Sequence, residues 1–489
     1  MTNPTTPAGH NTPGLVQAPD GDLMTLGEDG VRLVREGENS QDDPTFVAPK
    51  GRTAATVTLG ISQSIDNSEG GVSKTFFPQI MTAFNVGTTE AGLLNALASA
   101  ARMAFGPVWA IAADRFGRKK VLFIVTGLWG LWTLATGFAG SWTQLLVLYG
   151  IALVGTVAGE PILNGLLGSM YKASERGRAF GLVRSTSSAL GIVITPILGQ
   201  FGDNPDGWRY AMYAMGGLSV LSGILILIFV NEPKRISSSE IAELREEAGF
   251  FRPSDVPKLF KIPTLVGMAL MLPLVTSLVL FGFMNIVWAR NLGYGVKNGS
   301  YLYTAFAIGS TLSALLGGFL ADLFTKKFGN KGRIMLFQLY AVAFATIVAL
   351  TMYFARWWDS DVSPLPKGAV STNNPSVTYY LMVFLMGLIF SIGFSGCVLP
   401  MVSSVAPRQL SATTFALLFS LIQGALTTVY SLVVGKVADV IGDLQLTLLI
   451  GVSVPYLLNA LVWFIFYKTY DKDVKLQAER TRLIEEGAF

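Results

Sequence analysis

The amino-acid sequence predicts an all-α membrane protein: twelve transmembrane helices in two pseudo-symmetric six-helix bundles. Three observations carry this. Of 489 residues, 51% are hydrophobic and only 14% charged, against about 25% charged for a soluble chain; mean hydropathy is +0.49. Apolar runs matched to a hydrocarbon core of about 30 Å recur along the chain. A tight charged loop, Asp114-Arg115-Phe116-Gly117-Arg118-Lys119-Lys120, lies directly between two such runs and returns in degraded form from Asp322 to Arg333. A repeated loop implies a repeated half, and two related halves imply alternating access around a central site.

In chain order, residues 1–52 are rich in Pro, Gly, Asp and Thr and read as a polar cytoplasmic tail without fixed structure or a cleaved signal. Within it, Leu23, Leu26, Val31 and Val34 give a weak amphipathic pattern suited to a membrane surface. Residues 53–232 form the first bundle, with spans at 55–81, 89–113, 119–139, 143–170, 177–200 and 208–230. Residues 233–262 are a polar cytoplasmic linker in which Ser238-Ser239-Glu240 opens a short charged helix through Glu247. Residues 263–469 form the second bundle, with spans at 263–289, 300–325, 333–354, 377–405, 411–438 and 444–468, and 470–489 form a second tail.

Lys and Arg set the expected orientation. Loops after even-numbered spans hold Arg115, Arg118, Lys119, Lys120, Lys172, Arg176 and Arg178, and later Lys326, Lys327, Lys331 and Arg333. Loops after odd-numbered spans hold few cations. Both termini are therefore expected in the cytoplasm, and the chain in the plasma (inner) membrane.

Several classes are excluded. There is one cysteine, Cys397, so no intramolecular disulfide, and one histidine, His10, in the tail, so no imidazole relay within the membrane. No nucleophile–base pair, metal-ligand spacing or phosphate loop is present, so no enzyme, cofactor or metal is expected. A net charge of +4 gives no nucleic-acid footprint. The expected partners are membrane lipids, protons and a small amphipathic substrate, and the expected state is a monomer.

The Asp114 loop resembles the signature loop of the major facilitator superfamily, the twelve-helix secondary transporters. Glu175-Arg176-Gly177-Arg178 resembles that family's second charged loop, with Ala406-Pro407-Arg408-Gln409 as its counterpart. Gly191, Pro196 and Gly199 resemble its kinked exporter motif, although Thr195 and Gln200 stand where glycines belong and Ala110 replaces the leading glycine of the first loop. The resemblance implies a cytoplasmic gate at Asp114, Arg115, Gly117, Arg118 and Asp322. Packing by small residues also explains the glycines.

Within the superfamily, Asp66, Phe77-Pro78-Gln79-Ile80, Phe84, Gly92-Leu93-Leu94 and Gly159-Glu160 look like the Spinster-type lipid transporters. That resemblance implies proton coupling by acids on spans 1 and 4 and a lysophospholipid or sphingolipid substrate. Ile151, Ala152 and Leu153 replace the arginine that the family carries before its span-4 glutamate.

Charge within a bilayer is costly, so each such residue calls for a partner. The first half holds six: Asp66, Glu69, Lys74, Arg102, Glu160 and Arg184; the second half holds almost none. At a rise of about 1.5 Å per residue, all except Lys74 fall in one layer. Glu160, Asp66 and Glu69 are read as the proton-coupling acids. Arg102, Arg184 and Lys74 are read as their charge partners or as a site for an anionic headgroup, and permanent salt bridges are the structural alternative. Asn285, Trp288, Ser391 and Gln423, with Phe281 and Phe390, are candidates for the second-half cavity wall. The predicted function is proton-coupled transport of an anionic, lipid-like substrate. A drug or organic-anion exporter is the alternative, and a transporter-like sensor that moves nothing is the alternative of another class.

Overall fold

The computed structural model describes residues 51–171, 173–231, 256–359, 373–407 and 414–485, three strands between 15 and 34, and a few isolated positions. The expected helix from Ser238 to Glu247, Arg408-Gln409, and most of the 356–376 loop beyond Asp359 lie outside the described residues. The first tail differs from expectation. Leu15–Gln17, Leu23–Gly27 and Gly30–Val34 pair as an antiparallel meander. Gly27 pairs with Gly30, a spacing suited to a tight hairpin.

Among the described residues, ten helices are long and apolar enough to cross a membrane. Spans 2, 5, 6 and 8 are Thr88–Phe116, Ala173–Gly199, Gly207–Phe229 and Gly295–Phe328. Spans 7, 9, 10, 11 and 12 lie within Pro263–Asn291, Lys331–Tyr353, Val377–Val405, Leu417–Ile441 and Leu444–Arg480. Span 4 is two helices, Trp142–Thr156 and Gly159–Met170. The break comes just before Pro161, which has no N–H to return to the carbonyl of Val157. Spans 1 and 3 complete the twelve predicted positions. Span 1 is Arg52–Thr75, made polar by its own charges, and then a separate turn of helix, Phe77–Phe84, that opens at Pro78. Span 3 is divided into Arg118–Leu122, Phe123–Leu128 and Gly130–Thr136.

Helices approach closely where glycine removes the side chain. A Cβ on Gly127 would strike Gly223, one on Gly130 would strike Ser219, and one on Gly309 would strike the backbone of span 10. The second half fills its centre with rings instead. Phe281, Phe306 and Phe390 meet edge-to-face at centroid distances of 4.5–5.4 Å, and Phe344 and Tyr456 pack at 4.8 Å beside them.

The halves touch at one end. Span 2 lies antiparallel to span 11, with Gly92 against the carbonyl of Ser431 and Gly435 against Thr88. Span 5 lies against span 8, with Gly199 on Ser300. This is the end opposite the Asp114 loop. One helical stripe on span 2, read at intervals of three and four, contains Thr88, Gly92, Asn95, Arg102 and Gly106. Its first three members meet the second half, with Asn95 on Gly282, while Gly106 has open space around it. On span 5, Gly181 is also open, five turns from Gly199. The halves diverge toward the loop end, which leaves a cleft between them.

Candidate functional site

Span 1 organises the site by carrying two polar stripes about a quarter-turn apart. The first is Ser62, Asp66, Glu69 and Ser73, all buried. Asp66 accepts a hydrogen bond from Thr126 Oγ1 on span 3 at 3.1 Å. Its carboxylate also presses on Gly159 at the break in span 4, where any Cβ would displace it. Its Oδ1 has no hydrogen-bond partner among the described residues. Glu69, three residues on, accepts from Thr133 on span 3, and its other oxygen lies 2.7 Å from Ser219 Oγ on span 6. Ser73 donates to Tyr149 on span 4 at 2.9 Å. This stripe faces into the first bundle, not the cleft.

The second stripe is Asn67, Gly70 and Lys74. Asn67 is exposed, Lys74 is half-buried, and nothing stands within 4 Å of a Cβ built on Gly70. Lys74 lies within electrostatic range of Arg102, which belongs to the span-2 stripe that faces the second half. Two cations from neighbouring helices thus share one wall of the cleft.

The predicted single layer of mutually neutralising ions is not what forms. Among the described residues, Asp66, Glu69, Lys74, Arg102, Glu160 and Arg184 make no ion pair with one another. Like sits with like: Asp66 feels Glu69, and Lys74 feels Arg102. The helical angle separates acids from cations. Glu160 is exposed on the first turn after the span-4 break, and Arg184 is exposed on span 5. The alternative of permanent salt bridges among these six is likewise not found.

At the loop end, Arg118 Nη1 donates to the carbonyl of Gly165 at 2.8 Å, tying span 3 to span 4. Gly117 turns the chain between spans 2 and 3 at φ 109°, a conformation that favours glycine. Arg115 is exposed and lies 5.6 Å from the ring of Phe116. The side chain of Asp114 lies outside the described ones. The structural counterpart of Phe116-Gly117 is Phe328-Gly329, which ends span 8 at φ 62°. Asp322 therefore precedes its turn glycine by a full helical turn more than Asp114 does. It is exposed on the side of span 8. In the second half, Asn330 donates to Asp471 at 2.9 Å and Arg333 to Tyr470 at 3.4 Å.

Of the second-half candidates, Trp288 and Asn285 are core residues, 0% and 3% exposed. Trp288 is a correction, since its ring fills the bundle instead of lining the cleft. Phe281 and Phe390 belong to the ring cluster described above. Ser391 is half-buried, and its backbone N–H is 2.8 Å from Ser313 Oγ. Gln423 is half-buried at the start of the main helix of span 11.

Sequence reading missed three features. Arg52 was assigned to the tail, yet it makes a two-pronged ion pair with Glu175 at 2.6 and 3.0 Å and lies 4.9 Å from the Tyr171 ring centroid. Asp439, on the last turn of span 11, accepts from Thr88 N at 2.8 Å, Thr88 Oγ1 at 2.7 Å and Thr89 N at 2.6 Å. It thereby caps span 2 from the other half. Asn67, one position after Asp66, was passed over because it carries no charge. For Asp439, the available signal was an acid closing one span and a Gly-Thr-Thr opening another.

The chain matches the family model described as Major Facilitator Superfamily over residues 59–428. It is 26% identical over 383 residues to the hexuronate transporter of Escherichia coli (strain K12), covering 75% of this chain and 82% of that one. It is 28% identical over 163 residues to protein spinster homolog 1 of Homo sapiens, covering 32% of this chain and 30% of that one. A crystal structure of a bacterial homologue of the human lysosomal transporter Spinster, inward-facing and unoccupied, superposes with a TM-score of 0.65 at 18% identity, covering 87% of this chain and 99% of that one. Matched over most of its length and folded as two six-helix halves about a cleft, the chain belongs to the major facilitator superfamily, whose members are transporters and not enzymes.

Proposed function

We propose that the protein is a proton-coupled secondary transporter of an anionic organic substrate, with both termini in the cytoplasm and the cleft open to the cytoplasmic side. The observation that supports this most directly is the Lys74–Arg102 wall. Two cations held near each other repel, and an anionic group between them removes that repulsion. Among the described residues no carboxylate pairs with either. The substrate supplies the missing charge, and Asn67 beside them offers a neutral amide to its polar groups.

Two substrate shapes fit this chemistry. The Spinster-like residues of the first half favour a lysophospholipid, whose acyl chain would lie against the apolar second half. The likeness to a hexuronate transporter over three quarters of the chain favours a compact sugar acid instead. Both present an anion to Lys74 and Arg102. In this reading Glu160, exposed at the span-4 break, takes the proton that accompanies substrate movement, with Asp66 and Glu69 as the buried acids behind it.

The test is flux into proteoliposomes under an imposed proton gradient, with a lysophospholipid and a hexuronate in separate arms. Saturable, gradient-dependent uptake in either arm is expected, reduced at least 10-fold in Arg102→Gln. Flux equal with and without the gradient would remove proton coupling. Full flux in Arg102→Gln would remove the cation wall as the substrate site.

A further inference from the structure

The Glu69 carboxyl group raises a question of counting hydrogens. Ser219 Oγ lies 2.7 Å from Glu69 Oε2 and 2.9 Å from the carbonyl oxygen of Thr126. A serine hydroxyl has one hydrogen. Two acceptors at hydrogen-bond distance compete for it. If Ser219 donates to Thr126, the contact with Glu69 is a hydrogen bond only when Glu69 itself donates. The Thr133 hydroxyl takes the other carboxyl oxygen. One more proton, on Oε2, gives every one of these contacts a donor and an acceptor.

The surroundings point the same way. Glu69 is 4% exposed and borders a small cavity of about 10 Å³ with Thr133, Tyr149, Thr156 and Met212. That volume suits a single water. The titratable groups facing it are Asp66 on its own helix and Tyr149 on span 4. Span 3 contributes Thr126 and Thr133, and span 6 contributes Ser219. Among the described residues no Lys or Arg lines the cavity, and Lys74 and Arg102 stand on the adjacent face toward the cleft. A carboxylate without a cation in such a place is expensive, and the neutral acid is not.

We propose that Glu69 binds a proton in this conformation, at a site enclosed within the first bundle and separate from the cleft. The proton completes a polar chain that ties span 1 to spans 3 and 6. This deepens the proton-coupled reading and rests on it for its role in transport, but not for its existence.

The test is infrared spectroscopy of the full-length protein in liposomes, following the carbonyl stretch of protonated carboxyl groups. A band is expected at neutral pH in the native protein. It is expected to be lost in Glu69→Gln, kept in Glu160→Gln, and moved to higher frequency in Ser219→Ala, where the proton loses its acceptor. Ser219→Ala decides the matter if Glu69→Gln does not fold. Thermal melting in sodium chloride and in choline chloride runs alongside. Absence of the band in the native protein, or its survival in Glu69→Gln, overturns the proposal. So does a sodium-specific stabilisation that Glu69→Gln abolishes, which would make the site one for a metal ion. Flux that ignores the proton gradient would defeat the coupling reading, while loss of the band in Glu69→Gln would still stand.

Discussion

The two ends of the molecule hold their helices in different ways. At the closed end the contacts cross between halves: Asp439 to Thr88 and Thr89, Lys297 to Asp203 at 2.8 Å, and Arg290 to the Met81 sulfur at 3.4 Å. At the loop end the described contacts stay within a half: Arg52 to Glu175, Arg118 to Gly165, Asn330 to Asp471, and Asp473 accepting from Thr264 N at 2.8 Å. One end is a clasp between two bodies, and the other is a set of braces inside each body. An alternating-access protein needs this division, because rigid halves move only if the bonds between them can break while the bonds within them hold.

Three substitutions break or sharpen the comparison. Gly92→Leu has the largest expected effect, since its side chain would occupy the space of the Ser431 carbonyl. The closed end should then fail to close, and a spin-label pair across spans 2 and 11 at that end should report a wider distance. An unchanged distance would show that the halves yield elsewhere. Asp439→Ala comes next, because it strips the start of span 2 of its cap from the opposite half. A lost cap costs about 0.5–2 kcal/mol, and roughly 1.4 kcal/mol shifts a two-state population about tenfold. Alkylation of a cysteine placed at Thr89, in a Cys397→Ser background, should rise by about that factor; equal labelling would make the cap ornamental. Lys297→Ala should change labelling least and only at low salt, because exposed ion pairs are weak and screened. A large effect that persists at high salt would move the centre of the clasp to spans 5 and 8.

Much of the fold was legible because membrane insertion writes itself into composition. Every predicted span has a helical counterpart, and the Phe-Gly turns after spans 2 and 8 mark the internal repeat. The breaks were harder to read. Pro78 and Pro161 were visible, yet apolar runs continue through both, so hydropathy alone counted spans 1 and 4 as unbroken. The site was legible by residue and not by arrangement. Asp66, Glu69, Lys74 and Arg102 stood out as costly ions. That the acids turn inward while the cations face the cleft depends on a quarter-turn of span 1 and on which neighbours occupy each side. Trp288 and Asn285 looked like cavity wall and proved to be core, since amphipathic residues suit either place.

By itself, the sequence determined the solvent, the order of the spans and the residues that cannot sit in lipid without help. These follow from transfer free energies, which act residue by residue. Only the tertiary structure decided which charges became neighbours, where one half caps the other, and that Ser219 stands between Glu69 and a backbone carbonyl with one hydrogen for two contacts. Those outcomes depend on distance and direction between helices far apart in the chain, and no local pattern encodes them.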